Sequence, residues 1–186
     1  MLAWLTGRTD PRHTADELYG RVVAAARQPV FYGDLGVPDT PEGRYELVAL
    51  HLFLGLERLR LEGARGETVS RLALEAFVTD MDDCMREMGV GDLTVPKRVK
   101  RAAAGFYERA GVYRAGLDAE GWRPMAVAVN RYVFNAPDAP VDGATGALAV
   151  YARHTADALA KLSANDVLAG RVTFLPFSTA DAAGVS

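Results

Sequence analysis

Cysteine is nearly absent: Cys84 is the only one in 186 residues, so neither an intramolecular disulfide nor a multi-cysteine metal site can form. That usage fits a reducing compartment, and a cytoplasmic protein is expected. Histidine is almost as scarce, at three residues, and no His-Glu-x-x-His or Cys-x-x-Cys spacing occurs. No metal and no cofactor are therefore expected. Positive charge is not in excess. A formal net charge of -3 and a pI near 5.6 give no general attraction to phosphate backbones, which excludes direct nucleic-acid binding as the first reading. The longest apolar stretch, Leu47 to Leu56, is roughly half the length a bilayer crossing needs and is interrupted by His51. The first eight residues are too short for a secretory h-region and lack the character of a transit peptide. Repeats, heptad arrays and convincing alternating strands are also missing.

What is present is an ordinary globular composition, 49% hydrophobic and 24% charged with 9% aromatic residues, patterned with helical period. Thr14 and Glu17 have capping-box spacing, and Leu18, Tyr19, Val22, Val23 and Ala26 continue a first helix to about Arg27. Pro29, Gly33, Gly36 and Pro38 mark Gln28 to Thr40 as a loop. Thr40 before Pro41 is a strong helix start, and a second helix is expected to about Glu62. Its core stripe is Tyr45, Val48, Leu52, Leu56 and Leu59. Leu47, Leu50, Phe53 and Leu54 extend apolarity round the circumference, so it is either a central helix or one that offers a binding face.

Gly63 and Gly66 are read as its end. A third helix is expected from about Glu67 to Met88, a fourth from Pro96 to about Gly116, a shorter one near Pro124, and another from Gly143 to Leu162. The expected fold is all-α, a single-domain bundle of about six helices. An N-terminal segment 1–13 precedes a helical domain 14–170, and a tail 171–186 carries a brief β-like run from Val172 to Leu175 before residues expected to fray.

The most informative charges lie between the third and fourth helices. Asp80, Asp83 and Glu87 share a face near a helix C-terminus, where the macrodipole disfavours anions, and Lys97, Arg98, Lys100 and Arg101 sit at a helix N-terminus, where it disfavours cations. Two readings remain open together. The acidic and basic ends pair across the connecting loop, with Asp82 and Arg86 as a local pair, or part of the set stays free to orient a partner. The candidate partner-binding residues are Asp80, Asp83, Arg86, Glu87, Asp92, Lys97, Lys100 and Arg101, with Leu50 and Phe53 of the second helix. If exposed, those two would line an apolar patch; if buried, they belong to the core.

Chemistry is harder to find. An EF-hand loop starting at Asp80 would need glycine at its sixth position and glutamate at its twelfth, and these are Met85 and Gly91. Gly89-Val-Gly91 follows a helix rather than a strand and reads as a cap and turn, not a phosphate cradle. His51 shares a face with Arg44 and Arg58, which disfavours a protonated ring and favours a hydrogen-bonded core histidine. Met81, Met85 and Met88 read first as core and second as an adaptable binding surface. No catalytic residues are assigned, and a binding protein rather than an enzyme is expected.

Phe31-Tyr32-Gly-Asp-Leu-Gly36, Thr40-Pro-Glu-Gly-Arg-Tyr-Glu-Leu-Val-Ala-Leu-His51, Asp80-Met-Asp-Asp83 and Arg86-Glu-Met-Gly-Val-Gly-Asp92 with Pro96-Lys-Arg-Val-Lys100 resemble the ubiquinol-cytochrome c chaperone family. The resemblance runs from about Tyr32 to Tyr151. It implies an all-helical assembly factor for ubiquinol-cytochrome c reductase that binds newly made cytochrome b, with transient proximity to the membrane surface or the ribosome. The start of the chain resembles a bacterial member, cytoplasmic and peripheral at the inner membrane through its client. The alternative is a small helical ligand-binding or regulatory module with haem or lipid in its core, His51 and a methionine being the haem ligands.

Overall fold

A computed structural model describes the backbone of residues 10–87, 95–141 and 143–178, and their side chains except 85–87 and 95–99. Among the described residues every regular element is helical: α1 (Pro11–Ala26), α2 (Pro29–Gly33), α3 (Pro41–Arg60), α4 (Gly63–Glu87), α5 (Val95–Asp118), α6 (Arg123–Tyr132), α7 (Gly143–Ala160) and α8 (Ala164–Val167). The six longer helices are those expected from periodicity, and α2 and α8 are one-turn additions. The Gln28 to Thr40 segment is thus not wholly a loop: Pro29 occupies the first turn of α2, where its missing N–H costs nothing.

The start of α3 follows from three residues. Thr40 is extended, and its hydroxyl accepts the Gly43 N–H at 3.1 Å. Pro41 presets the first turn. Gly43 is glycine because the Pro38 carbonyl packs where a Cβ would stand. The cap alone is worth about 1 kcal/mol.

The start of α1 lies elsewhere than the capping box suggested. Asp10 is the N-cap and accepts the Arg12 N–H at 3.0 Å, with Pro11 following. Thr14 lies one turn inside, fully buried, and its hydroxyl donates to the Leu168 carbonyl at 3.1 Å. Its oxygen serves a contact across the fold, a partner that local spacing does not reveal.

Gly63, at φ +57°, makes the turn between α3 and α4. Gly66 is not a terminator. It lies within α4, where the Leu59 carbonyl approaches so closely that a Cβ would collide with it.

The helix α3 is central: it packs against α1, α4, α5 and α7, while α1 also packs on α4, and α6 bridges α5 and α7. That position explains the apolar circumference read from sequence. Leu47, Leu50, Leu52, Phe53 and Leu54 are all at most 1% exposed, within one cluster that also takes in Phe31, Phe77, Tyr113 and Tyr151. Leu50 and Phe53 are therefore core residues and do not line an exposed patch.

The segment after α8 forms no strand through residue 178. It runs over the bundle without regular structure. Val172 is buried, and Phe174, Leu175 and Phe177 pack on the core. Gln28 fixes it by accepting the Phe177 N–H at 3.0 Å. Among the described residues no helix is long and apolar enough to cross a membrane.

Candidate functional site

A groove of about 600 Å³ opens between the C-terminal end of α1, α2, the N-terminal half of α3, the end of α4 and one residue of α5. Its apolar lining comes from Val23, Tyr32, Tyr45, Val48 and Met81, and its charged lining from Arg27, Glu42, Arg44, Glu46, Asp80 and Arg109. A volume of this size is typical of sites that take a small molecule or a short segment of another chain.

A largely buried ion pair forms part of the groove lining. Arg109 donates to Glu46 through Nε at 2.7 Å and Nη2 at 2.5 Å, a bidentate fork, and Nη1 donates to the Gly105 carbonyl. The guanidinium lies 5.4 Å from the Tyr45 ring centre and 4.8 Å from that of Tyr132. Burial pushes the Glu46 carboxyl above the ordinary carboxylate value even though Arg109 opposes the shift. Planarity, charge and stacking together explain why arginine rather than lysine suits this position. Tyr113 behind it is wholly buried, and its hydroxyl has no partner among the described residues.

The acidic wall comes from α4. Asp80 accepts a hydrogen bond from the Tyr19 hydroxyl at 2.7 Å, and burial followed by this bond holds the Tyr19 phenol far above its usual range. The opposite lip is more exposed. Arg44 pairs with Asp39 at 2.7 Å, and that contact keeps the Asp39 carboxyl below its ordinary value. On the outer side Asp80 also borders a polar cleft of about 480 Å³, shared with Arg12, Asp16, Leu72, Glu75, Ala76, Thr79 and Asp83.

Of the residues singled out by sequence, Asp80 stands in the groove wall and Asp83 is exposed on the adjoining cleft. Lys100 and Arg101 are exposed near the start of α5. Asp92 and the side chains of Arg86, Glu87, Lys97 and Arg98 lie outside the described residues, and with them the pairing envisaged across that loop. Phe53 reaches only the floor of a smaller cleft of about 270 Å³ that it shares with Leu56, Leu74 and Phe106. Met81 lines the groove, while Met85 and Met88 fall outside the described side chains.

Sequence reasoning missed Arg109 and did not give Tyr45 and Glu46 a site role. The available signal was Glu46 itself, an acid one position from the start of an otherwise apolar run. Three segments separated in sequence converge here: Tyr32 from the first motif, Pro41 to Val48 from the second, and Asp80 and Met81 from the third.

His51 is a hydrogen-bonded core residue. Its Nδ1–H donates to the Leu47 carbonyl at 2.7 Å, which leaves Nε2 as the acceptor of the neutral ring, 2.9 Å from the Tyr151 hydroxyl. That hydroxyl also lies 3.1 Å from the Leu175 carbonyl. Burial lowers the imidazole pKa to about 4. With both nitrogens engaged, the ring is not poised to ligate haem iron, and no group of three or more metal-ligating side chains occurs among the described residues.

The family described as Ubiquinol-cytochrome C chaperone matches over residues 33–174. The crystal structure of the Cbp3 homolog from Brucella abortus is similar throughout, with 35% identity, a TM-score of 0.82, and coverage of 95% of this chain and 98% of that one. None of the curated proteins compared matches.

Proposed function

The chain belongs to the ubiquinol-cytochrome c chaperone family, and from that premise we propose that it acts in assembly of ubiquinol-cytochrome c reductase by holding newly made cytochrome b in the groove between α1, α3 and α4. The observation that carries this reading is the convergence of the three motif segments on one concave surface. Segments that served the core alone would have no reason to place Tyr32, Arg44, Tyr45 and Asp80 around a common opening.

The groove suits the task. A membrane protein awaiting its partners carries apolar helices that aggregate in water, and a soluble protein shields such a segment by laying it against an apolar floor with a polar rim. Val23, Tyr45, Val48 and Met81 supply the floor, while Arg27, Glu42 and Asp80 supply the rim. The buried Glu46–Arg109 fork holds Tyr45 in place before a client arrives, which lowers the ordering cost of binding. Association with the inner membrane then comes through the client.

Deleting the gene in the native host and recording the cytochrome b absorbance of its membranes tests the role. Loss of assembled reductase, restored by the wild-type chain, is expected. Unchanged cytochrome b and unchanged reductase in the deletion strain would refute it.

A further inference from the structure

We infer that the segment seated in the groove is apolar with a flank of lysine or arginine, the composition found where a membrane-spanning helix meets the cytoplasm. This rests on the reading of the groove as the client site and specifies what that site takes. Two adjoining features carry it. The groove floor is apolar and large enough for several side chains. The cleft on the far side of Asp80 has four carboxylates, Asp16, Glu75, Asp80 and Asp83, against the single guanidinium of Arg12.

Among the described residues only Glu75 of those four has an ion pair, at 2.6 Å to Arg71. Among the described residues Asp80 takes one hydrogen bond, on Oδ2 from the Tyr19 hydroxyl. Asp16 and Asp83 are exposed. Asp80 borders both spaces, so a chain leaving the groove past this residue passes from an apolar surface to an acidic one. The order apolar then basic along a single segment matches that change.

Charge complementarity chooses among occupants. An acidic or neutral segment gains nothing from the cleft. A second copy of this chain, net -3, would bring mostly like charge. Cytoplasmic ends of membrane helices, in contrast, are enriched in lysine and arginine beside a long apolar run. The electrostatic part orients the segment and speeds its capture, whereas the floor supplies the apolar contact.

Three fluorescent peptides provide the test, each with about ten apolar residues followed by a run of lysine, serine or glutamate. Their binding to the full chain is followed by anisotropy at low salt. The lysine peptide is expected to bind about tenfold tighter than the serine peptide, and the glutamate peptide weakest. The preference should fade near 1 M salt, where screening acts within ~3 Å.

The triple variant Asp16→Asn, Asp80→Asn, Asp83→Asn retains an oxygen at residue 80 for the Tyr19 hydroxyl, so it is expected to fold, and it should bind all three peptides alike. Equal binding of the peptides by the wild type, or a lysine preference that survives in the triple variant, would overturn the inference. So would concentration-dependent dimerisation abolished by Asp80→Asn, which would assign the face to a second copy. Capture of cytochrome b from host membranes, measured alongside, separates the two levels. Cytochrome b recovered without any lysine preference removes only the basic flank, and no cytochrome b at all removes the client reading itself.

Discussion

Replacing Arg109 with methionine isolates the interaction that shapes the groove. The pair is well buried, with side-chain exposures of 19% for Arg109 and 11% for Glu46. Burial already raises the Glu46 carboxyl with its partner present. Methionine would keep most of the apolar volume against Tyr45 and Tyr132 but leave the carboxylate with no cation. Breaking a buried pair costs roughly 3 to 5 kcal/mol, and the partial exposure of Arg109 argues for the lower end, about 3 kcal/mol. With a urea dependence of about 2 kcal/mol per molar, the unfolding midpoint should drop by about 1.5 M, followed by far-UV circular dichroism.

The double variant Glu46→Leu, Arg109→Met removes both charges and should return to within about 1 kcal/mol of the wild type. Acid gives a further check. Arg109→Met raises the folded-state pKa of Glu46 further above its unfolded value, so ionising Glu46 opposes folding. Its deficit against the wild type should shrink as pH falls towards that raised pKa and the carboxyl takes up a proton. A loss under about 1 kcal/mol for the single variant, or a double variant as unstable as the sum of the singles, would refute the assignment of the pair as a buried, coupled unit.

Other consequences concern the core and the helix junctions. His51 has a folded pKa near 4 against about 6.5 when unfolded. The unfolded chain therefore binds the extra proton between these values, and stability should rise with pH from about 4 to 6.5, by about 3 kcal/mol in all. Urea titrations across that window should show the dependence flattened in His51→Gln; an unchanged slope would contradict the buried neutral ring. Gly43→Ala should destabilise by about 1 to 3 kcal/mol through collision with the Pro38 carbonyl. Gly111→Ala, in an α5 position with open space around it, should instead stabilise by up to about 1 kcal/mol. Thermal melts compare the two, and opposite signs to these would refute the close approach at Gly43.

The start of α3 was legible because Thr40 and Pro41 act within one turn, and its central place because apolar residues surround it. The start of α1 was not, because Asp10 caps it four residues before Thr14, whose hydroxyl reaches Leu168 instead. Gly66 carries the same lesson: a glycine that ends a helix and one that admits a carbonyl look alike in sequence. Burial of Leu50 and Phe53 depends on four neighbouring helices, so the pattern of α3 alone left both outcomes open. Of the groove, the α2, α3 and α4 residues lay in recognisable motifs. The Glu46–Arg109 and Tyr19–Asp80 contacts cross more than sixty residues each, and no local period announces them.

The central claim is that this groove holds cytochrome b, and affinity capture from solubilised membranes of the native host tests it most directly. Three chains are compared: the wild type, Val23→Gln with Met81→Gln to make the groove floor polar without adding charge, and Val127→Arg on α6, 56% exposed and outside the groove. Cytochrome b should be recovered with the wild type and with Val127→Arg, and lost with the folded groove variant. Its absence from the wild-type eluate, or equal recovery with the groove variant, would contradict the claim.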